Sequence, residues 1–180
     1  FYQKITDIFA ECSIDYIKDS EEAIKFYKTI QNKFHYAITG QTVAEIIYNR
    51  VDSNKEYMGL KTWENSPNGK ILKSDVSVAK NYLDEKEIRN LNNLVNLFLD
   101  LAENNAERGI PMYMKDWVTE VENALKLFHY DVLNSKGTIS HKKAVEKAEN
   151  EYEKYKVVQD KNFVSDFDRL IIETQKIENR

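Results

Sequence analysis

The sequence predicts an all-α fold, and two observations support that prediction. The 180 residues include only 5 Gly and 2 Pro, too few for the frequent tight turns of an all-β protein. Apolar residues also recur at helical spacing in several segments, and polar residues that cap helices precede many of them. Because 42% of the residues are hydrophobic, the chain can bury a core of several packed helices.

The first long helix is predicted between Asp19 and Gly40. Asp19 and Glu22 have the spacing of a capping pair, and Gly40 stands where a left-handed C-terminal cap is expected. A short helical segment over about 1–18 precedes it. The apolar stripe of this helix consists of Ile24, Tyr27, Ile30, Phe34 and Ile38.

The same signals predict the later helices. Thr42 with Glu45, and Asp84 with Glu87, form two further capping boxes. Trp63, Phe98 and Trp117 are expected to anchor the core. The predicted helices cover 43–51, 85–108 and 114–128, followed by C-terminal helices within 140–180, one opened by Ser140 and the last over 163–177.

Residues 59–73 interrupt the helical pattern. The run Ser66-Pro67-Asn68-Gly69 is a strong turn signal. Either 60–63 and 70–72 pair as a small β-hairpin, or the segment is a turn-rich loop. The sequence thus predicts one compact multi-helix domain over 1–180 with a small insertion.

The composition of the chain argues against several classes of function. The 26 Lys and Arg residues against 30 Asp and Glu give a net charge of −4, which is not typical of a protein that coats nucleic acid. The single Cys12 permits neither an internal disulfide nor a cysteine-based zinc cluster, so a cytoplasmic location is expected. No apolar run approaches the roughly 20 residues that span a membrane, and no membrane partner is expected.

The best candidate site is the helix–loop–helix from Asn32 to Arg50. His35 lies one residue off the apolar stripe, which predicts an outward-facing ring beside the loop at Gly40. Unpaired N–H groups at the start of the next helix would favour an anion such as a phosphate, with the imidazole as a general base. The predicted catalytic residue is His35, and the predicted ligand-binding residues are Asn32, Gly40, Gln41, Thr42, Glu45, Arg50 and Lys55.

Structural roles for these residues stay open. A histidine at a helix end often packs or caps, Glu45 is the capping partner of Thr42, and Arg50 can form a surface ion pair. No metal site is expected, because the three histidines are far apart in the sequence and no His-Glu-x-x-His motif occurs.

Six stretches of the chain carry a family resemblance: Asn32–Arg50, Lys55–Trp63, Lys73–Leu83, Ala106–Met112 with Asp116-Trp117, Glu149–Asp160 and Ser165–Asp168. They resemble the RhuM family of bacterial virulence-associated proteins, and the resemblance extends over nearly the whole chain. It implies a protein of pathogenicity islands or prophages. It also implies a DNA-binding N-terminal region, which this chain, starting at Phe1 rather than Met, is expected to lack.

The loop layout is also similar to the Fic fold, whose signature is His-Pro-Phe-x-acidic-Gly-Asn-Gly-Arg. Aligning His35 with the signature histidine places Gly40 on the first glycine, and Thr39 on the acidic position that binds the metal. This resemblance implies a nucleotidyl- or phosphoryl-transferase that uses ATP with Mg²⁺. The other positions depart from the signature, including the arginine that would hold phosphate oxygens.

Two functional hypotheses follow. In the first, a divergent Fic-like domain acts through His35 on a phosphate-bearing ligand or a target protein. In the second, the domain is a non-enzymatic helical module for protein interaction or homodimerisation, and DNA is contacted by the N-terminal region.

Overall fold

Six α-helices lie wholly within the described part of the chain. The structure, a computed structural model, describes Asp7 and residues 10–178, with the backbone alone for Asp166, Ile177 and Glu178. Over these residues the β-type pairing is limited to one isolated bridge between Ser13 and Met112, so the predicted all-α fold is confirmed. The helices are α1 (Glu21–Thr39), α2 (Val43–Arg50), α3 (Glu85–Glu107), α4 (Met114–Leu127), α5 (His141–Asn162) and α6 (Asp166–Glu178).

Predicted caps fix two of the helix ends. Gly40 follows α1 with a left-handed φ of 70°, and its N–H donates to the Tyr36 carbonyl at 2.8 Å. Asp84 Oδ1 accepts the N–H of Glu87 at 2.8 Å, and Glu87 Oε2 accepts the N–H of Asp84 at 3.0 Å. This reciprocal box opens α3, as the sequence predicts.

Two predicted helix starts are wrong by a few residues. Ser20, not Asp19, caps α1, since Ser20 Oγ accepts the N–H of Ala23 at 3.1 Å and Asp19 has a left-handed φ of 61°. The last helix starts three residues later than predicted, because Ser165 Oγ accepts the N–H of Asp168 at 3.1 Å and thereby caps α6. The predicted segment over 1–18 falls partly outside the described residues.

The chain divides into two compact units. The first comprises Phe1–Ile46 and Leu83–Ser140, and the second comprises Ile47–Tyr82 and His141–Arg180. The boundary between them falls inside α2. A single-domain organisation over 1–180 stays a prediction beside this division.

Aromatic side chains form the core of the first unit. Phe98 on α3 contacts Phe34 on α1 and Trp117 on α4 edge-on, with ring centroids 5.8 Å apart in both pairs. All three rings are buried, and edge-on pairs add about 0.5–1.5 kcal/mol beyond burial. The indole N–H of Trp117 donates to Ser13 Oγ at 3.0 Å, so burying this ring leaves its polar atom satisfied. The predicted core roles of Phe98 and Trp117 are confirmed.

The second unit packs α5 against the turn-rich segment over 51–82, and the hairpin alternative for 59–73 within this segment is wrong. The N–H groups of Lys61 and Thr62 both donate to the Asn81 carbonyl. Ile71 instead pairs with the Gln159 side chain, which accepts its N–H at 2.8 Å and donates to its carbonyl at 3.1 Å. The backbone groups that a hairpin would pair therefore have other partners.

Among the described residues, none of the helices combines the length and the apolar character that crossing a bilayer requires.

Candidate functional site

The start of α2 forms the capping box that the sequence predicts. Glu45 Oε2 accepts the N–H of Thr42 at 2.9 Å, and Thr42 Oγ1 accepts the N–H of Glu45 at 3.3 Å. The other carboxylate oxygen, Glu45 Oε1, accepts the N–H of Thr138 at 2.7 Å and its hydroxyl at 2.8 Å. A carboxylate of the chain itself therefore occupies the position where an anion would bind the helix N-terminus.

The charge of Glu45 is stabilised where it lies. Burial acts to raise the pKa of Glu45, but hydrogen bonds from Thr138 and Thr42 outweigh it and hold the pKa below its ordinary value. At neutral pH the group is therefore a carboxylate, which is the form that accepts these three hydrogen bonds.

Two neighbouring amides also have partners inside the chain. The N–H of Gln41 donates to Thr39 Oγ1 at 3.1 Å, and the N–H of Val43 donates to Asn32 Oδ1 at 3.0 Å. The prediction of unpaired amides around the loop is therefore wrong for Gln41, Thr42 and Val43. Asn32 acts as a structural bridge between α1 and the first residue of α2.

The position of His35 beside the apolar stripe predicts an outward-facing ring. The structure instead places the ring of His35 inside the protein. Its side chain is 0% exposed, and Nδ1 lies 2.8 Å from the Gln31 carbonyl. The reason is that α1 packs against both α3 and α4, which widens its buried face beyond a single stripe. A buried imidazole is not positioned to take a proton from a target hydroxyl, so the catalytic role of His35 stays a prediction that this geometry does not support.

A lysine that the sequence analysis did not consider lies beside this motif. Lys33 is buried, and its Nζ lies 2.7 Å from Glu122 Oε1 on α4 and donates to the Leu133 carbonyl at 3.0 Å. Its spacing from Phe26 and Ile30 places it on the buried face of α1. This periodicity is the sequence signal that could have predicted its burial.

The loop over 133–138 therefore covers the motif. Lys33 binds the carbonyl of Leu133, the first residue of the loop, and Glu45 binds Thr138, the last residue of the loop. Gly137 lies so close that an added Cβ would meet Thr42 Cγ2 at 2.8 Å and Glu45 Oε1 at 3.1 Å. Next to this loop a polar pocket of about 320 Å³ remains, lined in part by Asn32 and Lys33.

The two remaining predicted ligand-binding residues belong to the second unit. The guanidinium of Arg50 donates from Nη1 to the Tyr82 carbonyl at 2.9 Å, which gives this side chain a structural partner. Lys55 is exposed on the turn before Glu56–Gly59.

The described residues offer little for metal or thiol chemistry. Within this part of the chain, no three His, Cys, Asp or Glu side chains lie close enough together to hold a metal ion. Burial, together with the charges of Glu11 and Glu103, raises the pKa of Cys12, so its thiol is protonated at neutral pH and is a poor nucleophile.

These features define an all-α protein in which the chain's own side chains close the helix–loop–helix motif from Asn32 to Arg50. Residues 1–164 match the model of the Virulence protein RhuM family, and the chain belongs to that family. No curated protein and no solved structure gives a significant match.

Proposed function

We propose that this RhuM-family domain is a non-enzymatic helical interaction module that pairs with a second copy of itself through the outer face of α6. The observation behind the proposal is the exposure of large apolar side chains on this helix. Phe167 is 69% exposed and Leu170 is 61% exposed, and Ile171 lies beside them. Their spacing of three and four residues makes one continuous stripe along the helix.

A second copy is the partner that this apolar stripe favours. The stripe is exposed and apolar along α6, so the same stripe on a second copy can cover it. In an antiparallel pair the two helix dipoles also oppose each other. The stripe is therefore complementary to itself in apolar character.

The expected dimer is weak. A helix of this length is only about 20 Å long, so one helix face from each copy buries less than the ~1,200 Å² typical of stable complexes. The protein should therefore change from monomer to dimer over protein concentrations that can be reached in solution.

Sedimentation equilibrium over about a hundredfold range of concentration tests the proposal. Wild type is expected to shift from monomer to dimer, while Leu170→Glu stays monomeric because it places a charge in the stripe. Leu127→Glu is the matched control, since Leu127 is 73% exposed at the end of α4. A wild type that is monomeric throughout, or an equal effect of both variants, would refute the proposal.

Group transfer through His35, which the likeness to Fic implies, has less support from the contacts. The imidazole is buried, and Glu45 already occupies the anion position at the start of α2. Phosphate could reach that position only after the Glu45 carboxylate leaves the N–H of Thr42.

A further inference from the structure

The second unit contains a cleft that no local sequence pattern predicts. It has a volume of about 450 Å³ and is formed by the turn-rich segment and the C-terminal helices, with Tyr57, Trp63, Phe163 and Arg169 among its lining residues. This volume lies in the range of small-molecule sites. The lining combines aromatic rings with amides and one arginine, which are the groups that recognise a planar ring carrying an anion.

Tyr57 presents an aromatic platform to the cleft. One side of its ring lies against Trp63, with centroids 4.8 Å apart and planes tilted by 34°, and Tyr57 as a residue is still 41% exposed. A hydrogen bond holds the Trp63 ring in place, because its indole N–H donates to the Gly69 carbonyl at 2.8 Å. A flat ligand could stack on the exposed part of a ring that is already held in place.

The backbone that carries this platform is strained. Tyr57 and Met58 are both left-handed, with φ of 51° and 58°, a conformation that L side chains rarely adopt. Met58 is fully buried, and a Cβ on Gly59 would meet the Arg50 carbonyl oxygen at 2.4 Å. Such strain persists where the surroundings hold it, and it concentrates at ligand-binding sites.

Arg169 supplies the anion-binding group. It is half-buried on the face of α6 that lines the cleft. The other cation of the lining, Lys70, already contacts Asp160 at 2.8 Å and lies over the Phe163 ring at 4.8 Å. Among the side chains that the structure describes, none pairs with the Arg169 guanidinium, and a guanidinium can hold phosphate oxygens with two parallel hydrogen bonds.

We propose that this cleft binds a nucleoside monophosphate, with the base stacked on Tyr57 and the phosphate held by Arg169. Asn68 and Asn162 also line the cleft, and their amides can both donate to and accept from a base edge. The site is separate from the outer face of α6, because Arg169 lines the cleft and the proposed dimer stripe contains Phe167, Leu170 and Ile171.

Calorimetric titration of the full chain with AMP, GMP, CMP and UMP tests the proposal, with adenosine and inorganic phosphate titrated separately. We expect saturable binding of at least one mononucleotide and weaker binding of the corresponding nucleoside. Arg169→Gln is expected to weaken nucleotide binding by roughly tenfold or more and to leave nucleoside binding unchanged. Arg89→Gln, at an exposed arginine of α3, is the matched control.

Tyr57→Asn tests the platform, because asparagine tolerates the left-handed backbone while lacking the ring. It should weaken nucleotide and nucleoside binding alike, by roughly tenfold, and circular dichroism verifies that the variant is folded. Phe163→Leu, which removes another aromatic ring from the lining of the cleft, serves as a second variant if Tyr57→Asn does not fold. The proposal is overturned if wild type binds no mononucleotide, or if Arg169→Gln and Arg89→Gln weaken nucleotide binding equally.

Discussion

The imidazole of His35 is packed inside the first unit with Nδ1 against the Gln31 carbonyl, so His35→Ala removes a buried side chain. We expect this change to lower the free energy of unfolding by about 2–4 kcal/mol, through lost packing and a lost hydrogen bond. Urea denaturation measures the effect, with His141→Ala at the exposed start of α5 as the control. A base on the surface would behave differently, since its loss would leave stability close to that of wild type.

Gly137 and Gly109 provide a matched pair for testing the loop over the motif. Both have positive φ, 75° and 63°, but only Gly137 has neighbours within reach of an added Cβ. Each change to alanine costs about 1 kcal/mol for the left-handed backbone. Gly137→Ala should cost about 1–3 kcal/mol more, because its methyl group would press on Thr42 and Glu45.

Thermal or urea unfolding of both alanine variants gives this difference directly. Equal losses for Gly137→Ala and Gly109→Ala would mean that the loop moves away from α2 without cost, and that its close approach does not stabilise the fold.

At the scale of single residues, the sequence predicts local partners well and burial less well. Thr42 and Glu45 are three residues apart, so their capping box is visible in the sequence alone. His35 and Lys33 were misjudged or missed because their burial depends on how many helices pack on α1. That number depends on α3 and α4, which lie far along the chain.

At the scale of elements, α5 is joined to the turn-rich segment by a charged group with a pH-dependent contact. Hydrogen bonds from Lys154, and from the side chain and backbone of Ser53, lower the pKa of Glu151 to about 2 from its ordinary value of 4.5. Because the folded state depresses this pKa, Glu151 stabilises the fold fully above its ordinary pKa. That stabilisation is lost as the pH falls through about 2.

Glu151→Gln is therefore expected to lower stability at neutral pH by about 1 kcal/mol. The difference from wild type should shrink as the pH falls from about 4.5 toward about 2. Unfolding curves across this pH range measure it, with Glu146→Gln, an exposed residue of the same helix, as the control. A difference that is constant over the whole range would show that the charge of Glu151 is not what matters.

Elements also differ in how far the sequence predicts them. Helix existence follows from periodicity and caps, and all six helices were expected with small errors at their ends. The β-hairpin predicted in 59–73 does not form. The turn signal is real, but the backbone N–H groups on either side of the turn donate to groups outside it. Asn81 and Gln159 supply those partners, and no local pattern indicates them.

At the scale of the whole molecule, sequence-distant segments build what the sequence could not predict. Thr138 donates a hydrogen bond to Glu45, which lies 93 positions earlier in the chain. This contact closes the helix–loop–helix motif, which the sequence around Glu45 alone predicts to be open. The cleft likewise combines Tyr57 and Trp63 with Arg169 from the far end of the chain. Family membership was visible because it rests on residue identities in order, whereas both of these arrangements depend on tertiary contacts.

The proposed pairing of two copies through α6 would make the stability of that helix depend on protein concentration. We expect the amides over 166–178 to exchange with deuterium more slowly as the concentration rises, because the exposed stripe becomes covered in the dimer. Amides of α3, whose apolar face is already buried, should exchange at a constant rate in the same samples. In Leu170→Glu the dependence within α6 should disappear, while Leu127→Glu should retain it. If the protein sediments as a dimer but exchange in α6 is independent of concentration, the copies pair through another surface and the assignment to α6 is wrong.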